Sequence, residues 1–162
     1  MLEKLKKSLA KCPVVDFDDY QYFVHPITDG IPEGDPEVLG EVVDAIVETM
    51  NLDCDKIVTA ESMGFPLASA LSLKTGIPYV FIRKRKYGLP GEISLVQTTD
   101  VLSTGGTLKA IVTALRQIGA EIVDVLTVFE KVGRREELEN ELGIKIKTLL
   151  AVEVVDGRVV IR

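Results

Sequence analysis

Eight residues, Asp100-Val101-Leu102-Ser103-Thr104-Gly105-Gly106-Thr107, bring together one carboxylate, three hydroxyls and two adjacent glycines. A carboxylate accepts hydrogen bonds from sugar hydroxyls. Adjacent glycines let backbone N–H groups close on a phosphate. The helical pattern that follows would set its unpaired first N–H groups and positive dipole end behind them. That is the chemistry of a sugar-phosphate cradle. A second candidate is Glu61-Ser62-Met63-Gly64, between the short apolar run Ile57 to Ala60 and a helical pattern from about Pro66 to Thr75. A strand, a tight glycine loop and a helix make an α/β unit, and ligands bind at the carboxyl ends of such strands. The same four residues would also serve as a plain connection.

Arg83-Lys84-Arg85-Lys86 leaves the end of the predicted strand Tyr79 to Ile82. Four cations in a row are commonly a solvated face. At a strand end, beside two phosphate-type loops, they favour anion binding. His25-Pro26-Ile27-Thr28-Asp29-Gly30-Ile31-Pro32 holds the only histidine, near Tyr20 and Tyr22. It reads as a turn-rich loop, either a binding surface or a packed connection.

The elements that must position these residues follow from periodicity. Leu2, Leu5 and Leu9 share one face of a helix from Leu2 to Lys11, ended by Pro13. Val14 to Val24 is extended. Asp35-Pro36 starts a helix, with Asp as N-cap, and Leu39, Val42, Val43, Ile46, Val47 and Met50 form its buried stripe. Ile93 to Val96 is a further strand. After the cradle, Leu108, Ile111, Val112, Leu115 and Ile118 make the apolar face of a helix stopped at Gly119. Ile122 to Phe129 is a buried strand, and Arg134 to Leu142 a short charged helix ending at Gly143. Ile144 to Ile161 gives two strands joined at Asp156-Gly157. Alternating β and α with a closing hairpin predicts a mainly parallel sheet flanked by helices, in one domain over 1–162.

The bulk numbers exclude several classes. With 46 % hydrophobic and 27 % charged residues the chain is ordinary globular protein and not disordered. A net charge of -6 argues against nucleic-acid binding. No apolar run approaches membrane-spanning length, and the start of the chain lacks a signal-peptide core, so a cytoplasmic protein is expected. One histidine argues against most zinc sites and against a Ser-His-Asp mechanism. Cys12 and Cys54 are expected as reduced, buried thiols.

These stretches resemble known signatures. Asp100 to Thr107 before an amphipathic helix is similar to the phosphoribosyl-pyrophosphate motif of the type I phosphoribosyltransferases. Ala60-Glu61-Ser62-Met63-Gly64-Phe65-Pro66-Leu67 resembles the pyrophosphate-side loop of their adenine-type branch. Ile82-Arg83-Lys84-Arg85 with Leu89-Pro90-Gly91-Glu92 resembles that branch's basic strand end and following loop. Tyr22 to Gly30 and Val154-Val155-Asp156-Gly157 look most like the archaeal hypoxanthine/guanine phosphoribosyltransferases. The resemblance spans nearly the whole chain.

It implies the type I phosphoribosyltransferase fold, and purine salvage. Hypoxanthine and guanine would be converted to IMP and GMP with release of pyrophosphate. It implies catalytic roles for Asp100, on the ribose hydroxyls, and Arg83, on the diphosphate. The cradle of Val101, Leu102, Ser103, Thr104, Gly105, Gly106 and Thr107 would hold the 5′-phosphate. Glu61, Ser62, Met63 and Gly64 would shape the pyrophosphate pocket, with Lys84 or Lys86 assisting. Tyr22, Val24 and His25 would lie toward the base. Mg2+ would be held largely by the substrate's oxygens, with Asp100 as a possible protein ligand, and the assembly would be a homodimer. The alternatives are adenine as the base, giving AMP, and a non-catalytic phosphoribosyl-pyrophosphate sensor that regulates genes.

The sequence departs from the family at one junction. The family has two adjacent acids where this chain has Thr99-Asp100. It also places a long loop and an aliphatic strand where Gln97-Thr98-Thr99 meets Asp100 directly. Either that segment is deleted, or residues between Thr99 and Asp100 are left out of the numbering. The second is favoured, because losing a central strand would leave the motif unsupported. The adenine-type relatives often carry Arg at the position of Met63, so one phosphate contact is absent here.

Overall fold

The computed structural model describes residues 2–17, 20–83, 87–88 and 105–162. The predicted strand Ile93 to Val96, the cradle residues Asp100 to Thr104, and Lys84 and Lys86 lie outside them. The elements run α1 (Glu3–Leu9), β1 (Val14–Phe17), β2 (Tyr20–Phe23), α2 (Pro26–Asp29), α3 (Pro36–Thr49), β3 (Ile57–Ala60), α4 (Phe65–Thr75) and β4 (Tyr79–Ile82). After the cradle come α5 (Gly106–Gln117), β5 (Leu126–Lys131), α6 (Arg135–Leu142), β6 (Lys147–Val155) and β7 (Arg158–Ile161). Among the described residues, β3 pairs parallel with β4, and β5 parallel with β6. β1–β2 and β6–β7 are antiparallel. The parallel pairs are the frame the alternating pattern required, and β6–β7 is the expected closing hairpin.

Local chemistry explains the boundaries. Asp35 accepts from the N–H groups of Glu37 (2.8 Å) and Val38 (3.3 Å), and Pro36 opens α3 without wasting a donor. Helix α1 has no such cap of its own. Its first N–H groups at Lys4 and Leu5 donate instead to the Glu41 carboxylate of α3. The same helix pair is held by the core, where Leu5 and Leu9 pack with Val42, Val43, Ile46, Leu150 and Val152. Asp124 ties the far end. It accepts from Asn51 N–H (2.9 Å) after α3 and from Lys147 Nζ (2.5 Å) at the start of β6. Burial pushes the Asp124 carboxyl up, but these bonds outweigh it and hold it below the usual carboxylate range.

Four expectations are corrected. Residues 26–29 form a single helical turn, not open loop, because a His25 ring nitrogen caps it and Gly30 ends it at φ 68°. Strand β5 starts at Leu126 rather than Ile122, since the ladder begins only where Leu126 meets Lys147 of β6; β-branched content alone does not pair a strand. Ile118 is exposed, because it follows the last helical residue of α5, where the chain turns out at Gly119. Cys12 and Cys54 are free and only partly buried.

Candidate active site

The site is built where parallel strands end. Glu61 N–H donates to the Ile82 carbonyl at 3.0 Å, carrying the β3–β4 ladder one step beyond both strands. The Glu61 to Gly64 loop and Arg83 therefore leave the sheet side by side. The loop folds back tightly. A Cβ on Gly64 would fall 1.8 Å from Thr59 Oγ1, so only glycine fits there. The Glu61–Ser62 peptide is cis. Ser62 and Met63 are exposed. The Arg83 guanidinium stacks 4.9 Å from the centre of the Tyr87 ring, a cation–π contact.

The described part of the cradle is the start of α5. Gly105 is its N-cap at φ 83°, and Gly106 and Thr107 form its first turn, whose N–H groups have no partner in the helix. A Cβ on Gly105 would lie 2.6 Å from Leu138 of α6. Helix α6 is fastened to α5 elsewhere as well. Lys109 pairs with Glu141, and Arg116 donates to the Leu142 carbonyl at 2.6 Å.

A cleft of about 270 Å³ joins these parts. Met63 lines it from the β3 side, and Gly105 and Leu108 from the cradle side. Tyr22, Phe23 and Thr28 form another wall. The end of β5 and the start of α6 complete it with Phe129, Glu130, Lys131, Arg134, Arg135 and Leu138. The sequence reading missed Lys131, Arg134 and Arg135. A signal was present, since Lys131-Val132-Gly133-Arg134 is again a strand end, a glycine and a helix start. A larger hollow of about 480 Å³ between α1 and α3 is lined by Glu37, Glu41, Asp44 and Glu48, with Lys4 as the one cation among its described lining residues. Four carboxylates would repel a phosphate-bearing substrate, so the smaller cleft is the candidate.

Of the residues expected near the base, Tyr22 lines the cleft. Its hydroxyl donates to Asp29 at 2.7 Å. His25 sits behind the cleft, fully buried, with its ring edge-on to Phe129 at 5.2 Å. Nδ1 accepts from Ile27 N–H (3.1 Å), so the proton rides on Nε2 and is donated to Ser8 Oγ (2.8 Å). The Ser8 hydroxyl donates its own proton to the Leu5 carbonyl. Burial pushes the imidazole down to about 4, with Asp29 opposing the shift. His25 thus ties α1 to α2 and supports the wall carrying Phe129. Val24 is not among the lining residues.

Two relatives decide the family. A hypoxanthine/guanine phosphoribosyltransferase from Methanothermus fervidus is 48 % identical, covering 98 % of this chain and 96 % of its own. Another from Methanocaldococcus infernus is 49 % identical, covering 98 % and 100 %. The chain belongs to the hypoxanthine/guanine phosphoribosyltransferase family. No family model matches it. Among solved structures, adenine phosphoribosyltransferase from Thermoanaerobacter pseudethanolicus superposes with a TM-score of 0.72 at 20 % identity, covering 93 % of this chain and 99 % of its own. Orotate phosphoribosyltransferase from Aeropyrum pernix gives 0.65 at 20 %, covering 93 % of each. At that identity these structures establish the type I phosphoribosyltransferase fold and not the base. The sequence relatives place the chain on the hypoxanthine/guanine side, as the N-terminal and C-terminal motifs implied.

The family comparison also measures the shortfall. The alignment with the Methanothermus fervidus protein spans 182 positions, and this chain has 162 residues, so at least 20 aligned positions have no counterpart here (182 less 162). The 162 residues run unbroken through Thr99-Asp100, so the shortfall belongs to the chain and not, as favoured above, to its numbering.

Proposed function

We propose that the protein transfers the phosphoribosyl group of phosphoribosyl pyrophosphate to hypoxanthine and guanine, giving IMP or GMP and pyrophosphate in purine salvage. The observation that carries this reading is near-half identity, end to end, to hypoxanthine/guanine phosphoribosyltransferases. A purine nitrogen attacks the anomeric carbon and sheds its proton. The carbon–oxygen bond to pyrophosphate breaks, and the bonding pair leaves with pyrophosphate. The protein's part is positioning and electrostatics. Asp100 accepts from the ribose hydroxyls. The N–H groups at the start of α5, with Ser103, Thr104 and Thr107, hold the 5′-phosphate. The Glu61 to Gly64 loop and Arg83, side by side at the β3–β4 end, receive the departing diphosphate, with Lys84 or Lys86 adding charge.

Mg2+ bound to the diphosphate would neutralise charge on the leaving group. Among the described residues no group of three His, Cys, Asp or Glu builds a metal cage. The resemblance to the family supports a cation carried mainly on substrate oxygens, with Asp100 as its protein carboxylate. Activity as a homodimer in the cytoplasm completes the reading; no helix among the described residues is long and apolar enough to cross a membrane.

The test offers hypoxanthine, guanine, adenine, xanthine and uracil with phosphoribosyl pyrophosphate and Mg2+. Consumption of hypoxanthine and guanine is expected, and exclusive use of adenine would overturn the assignment. Asp100→Ala should nearly abolish turnover and leave the fold intact; a normal steady-state rate in that variant contradicts the role given to Asp100. A gel shift with DNA, in the absence of any nucleotide product, would instead favour the regulator.

A further inference from the structure

Helix α6 carries charge into the cleft in a way the reaction scheme does not use. Leu138 rests on the backbone of Gly105, so closely that a single methyl there would meet its Cδ atoms at 2.6 and 2.7 Å. Arg134 and Arg135 stand four and three residues before Leu138, one turn back on the same side of the helix. Both line the cleft together with Gly105. Arg135 is aimed by Glu130 at 3.5 Å, while Arg134 pairs with the exposed Glu137 at 3.1 Å. With Lys131, the cleft has three cations against one carboxylate among its described lining residues. An arginine fork is suited to two-point recognition of a phosphate. The Met63 side of the same cleft offers a thioether and no charge.

We infer that Arg134 and Arg135 are binding residues for the 5′-phosphate, closing over the Gly105 cradle from α6. The contact between Leu138 and Gly105 sets the register between the two. The inference rests on the proposed reaction for its full ligand, but a 5′-phosphate is shared by phosphoribosyl pyrophosphate, by the product nucleotide and by ribose 5-phosphate. That chemistry supplies the test.

Arg134→Ala, Arg135→Ala and the double variant are compared with the unaltered chain by calorimetric titration of ribose 5-phosphate, IMP and inorganic pyrophosphate. Each arginine removed should weaken ribose 5-phosphate and IMP by about tenfold, the range of a charge-assisted hydrogen bond. Pyrophosphate binding and the KM for hypoxanthine should stay within about twofold. Arg134→Lys and Arg135→Lys should recover part of the loss. Both side chains are about half exposed, so the fold should survive, and a thermal melt verifies it. Ribose 5-phosphate affinity unchanged in the double variant overturns the inference. A parallel loss for pyrophosphate also overturns it, since that would make the pair a general cationic rim. If the unaltered chain binds ribose 5-phosphate through these arginines but consumes neither hypoxanthine nor guanine, the proposed function fails and the phosphate assignment stands.

Discussion

Gly105→Ala probes the joint between the phosphate cradle and α6, and its cost can be built from two parts. The backbone at Gly105 has φ 83°, in the left-handed region. Placing an L-residue there costs about 1–2 kcal/mol, offset by about 0.4–1 kcal/mol because alanine stiffens the unfolded chain. The new methyl also meets Leu138 at 2.6 Å. Relieving that overlap moves a side chain off its rotamer or shifts α6, at about 1–3 kcal/mol. The net destabilisation should be about 1–5 kcal/mol, centred on ~3 kcal/mol, where the fall in Tm is roughly 6–12 °C for a chain of this size. Gly119 supplies the control. It has φ 74°, but a methyl added there would meet nothing within 4 Å, so Gly119→Ala carries the backbone part alone. Urea unfolding of both variants isolates the overlap by difference. Leu138→Ala should then recover about 1–2 kcal/mol of the Gly105→Ala loss in a double-mutant cycle. Equal midpoints for the Gly105 and Gly119 variants, or strict additivity in the cycle, would refute the contact on which the placement of α6 depends.

The buried histidine makes stability depend on pH. His25 is held near 4 in the fold and returns to about 6.5 when unfolded, so protons favour the unfolded chain between those values. Stability should be complete above about pH 6.5 and fall by about 3 kcal/mol as the pH drops toward 4; urea midpoints that decline equally in His25→Gln would show the histidine is not the cause. A chimera that inserts the additional positions of the Methanothermus fervidus relative between Thr99 and Asp100 should turn over hypoxanthine faster and melt higher than the 162-residue chain. A chimera no better on either count would show that the shortfall lies elsewhere.

The parts of the fold that are legible in the sequence are those whose causes are local. Asp35-Pro36 specifies the start of α3 by side-chain capping and a preset φ, and both act within four residues. Asp156-Gly157 specifies the hairpin, because the turn needs positive φ at both central positions and finds 50° and 70°. The start of β5 is not legible, because a ladder needs its partner, and Lys147 lies 21 residues beyond Leu126. Ile118 fits the apolar spacing of α5, yet spacing carries no information about where a helix stops and its last face turns to water.

The site divides along the same line. Glycines at 64 and 105 are visible as loop residues, and the structure supplies the reason each favours glycine, a neighbour at 1.8 Å in one case and, in the other, a φ of 83° with a neighbour at 2.6 Å. Histidine at 25 leaves both a binding surface and a packed connection open in the sequence. Burial behind Phe129, with both ring nitrogens bonded, turns the same residue into a strut. Arg134 and Arg135 depart in the opposite direction. In sequence they open a charged helix of ordinary surface character, and their residue types alone do not name a ligand. Their place over the cradle comes from Leu138 meeting Gly105, a contact between residues 33 apart that no local pattern encodes. A phosphate site assembled from strand ends is therefore most readable at its glycines, where the backbone itself must comply. It is least readable in the cations that arrive on another element, because their chemistry is generic and only tertiary packing gives it an address.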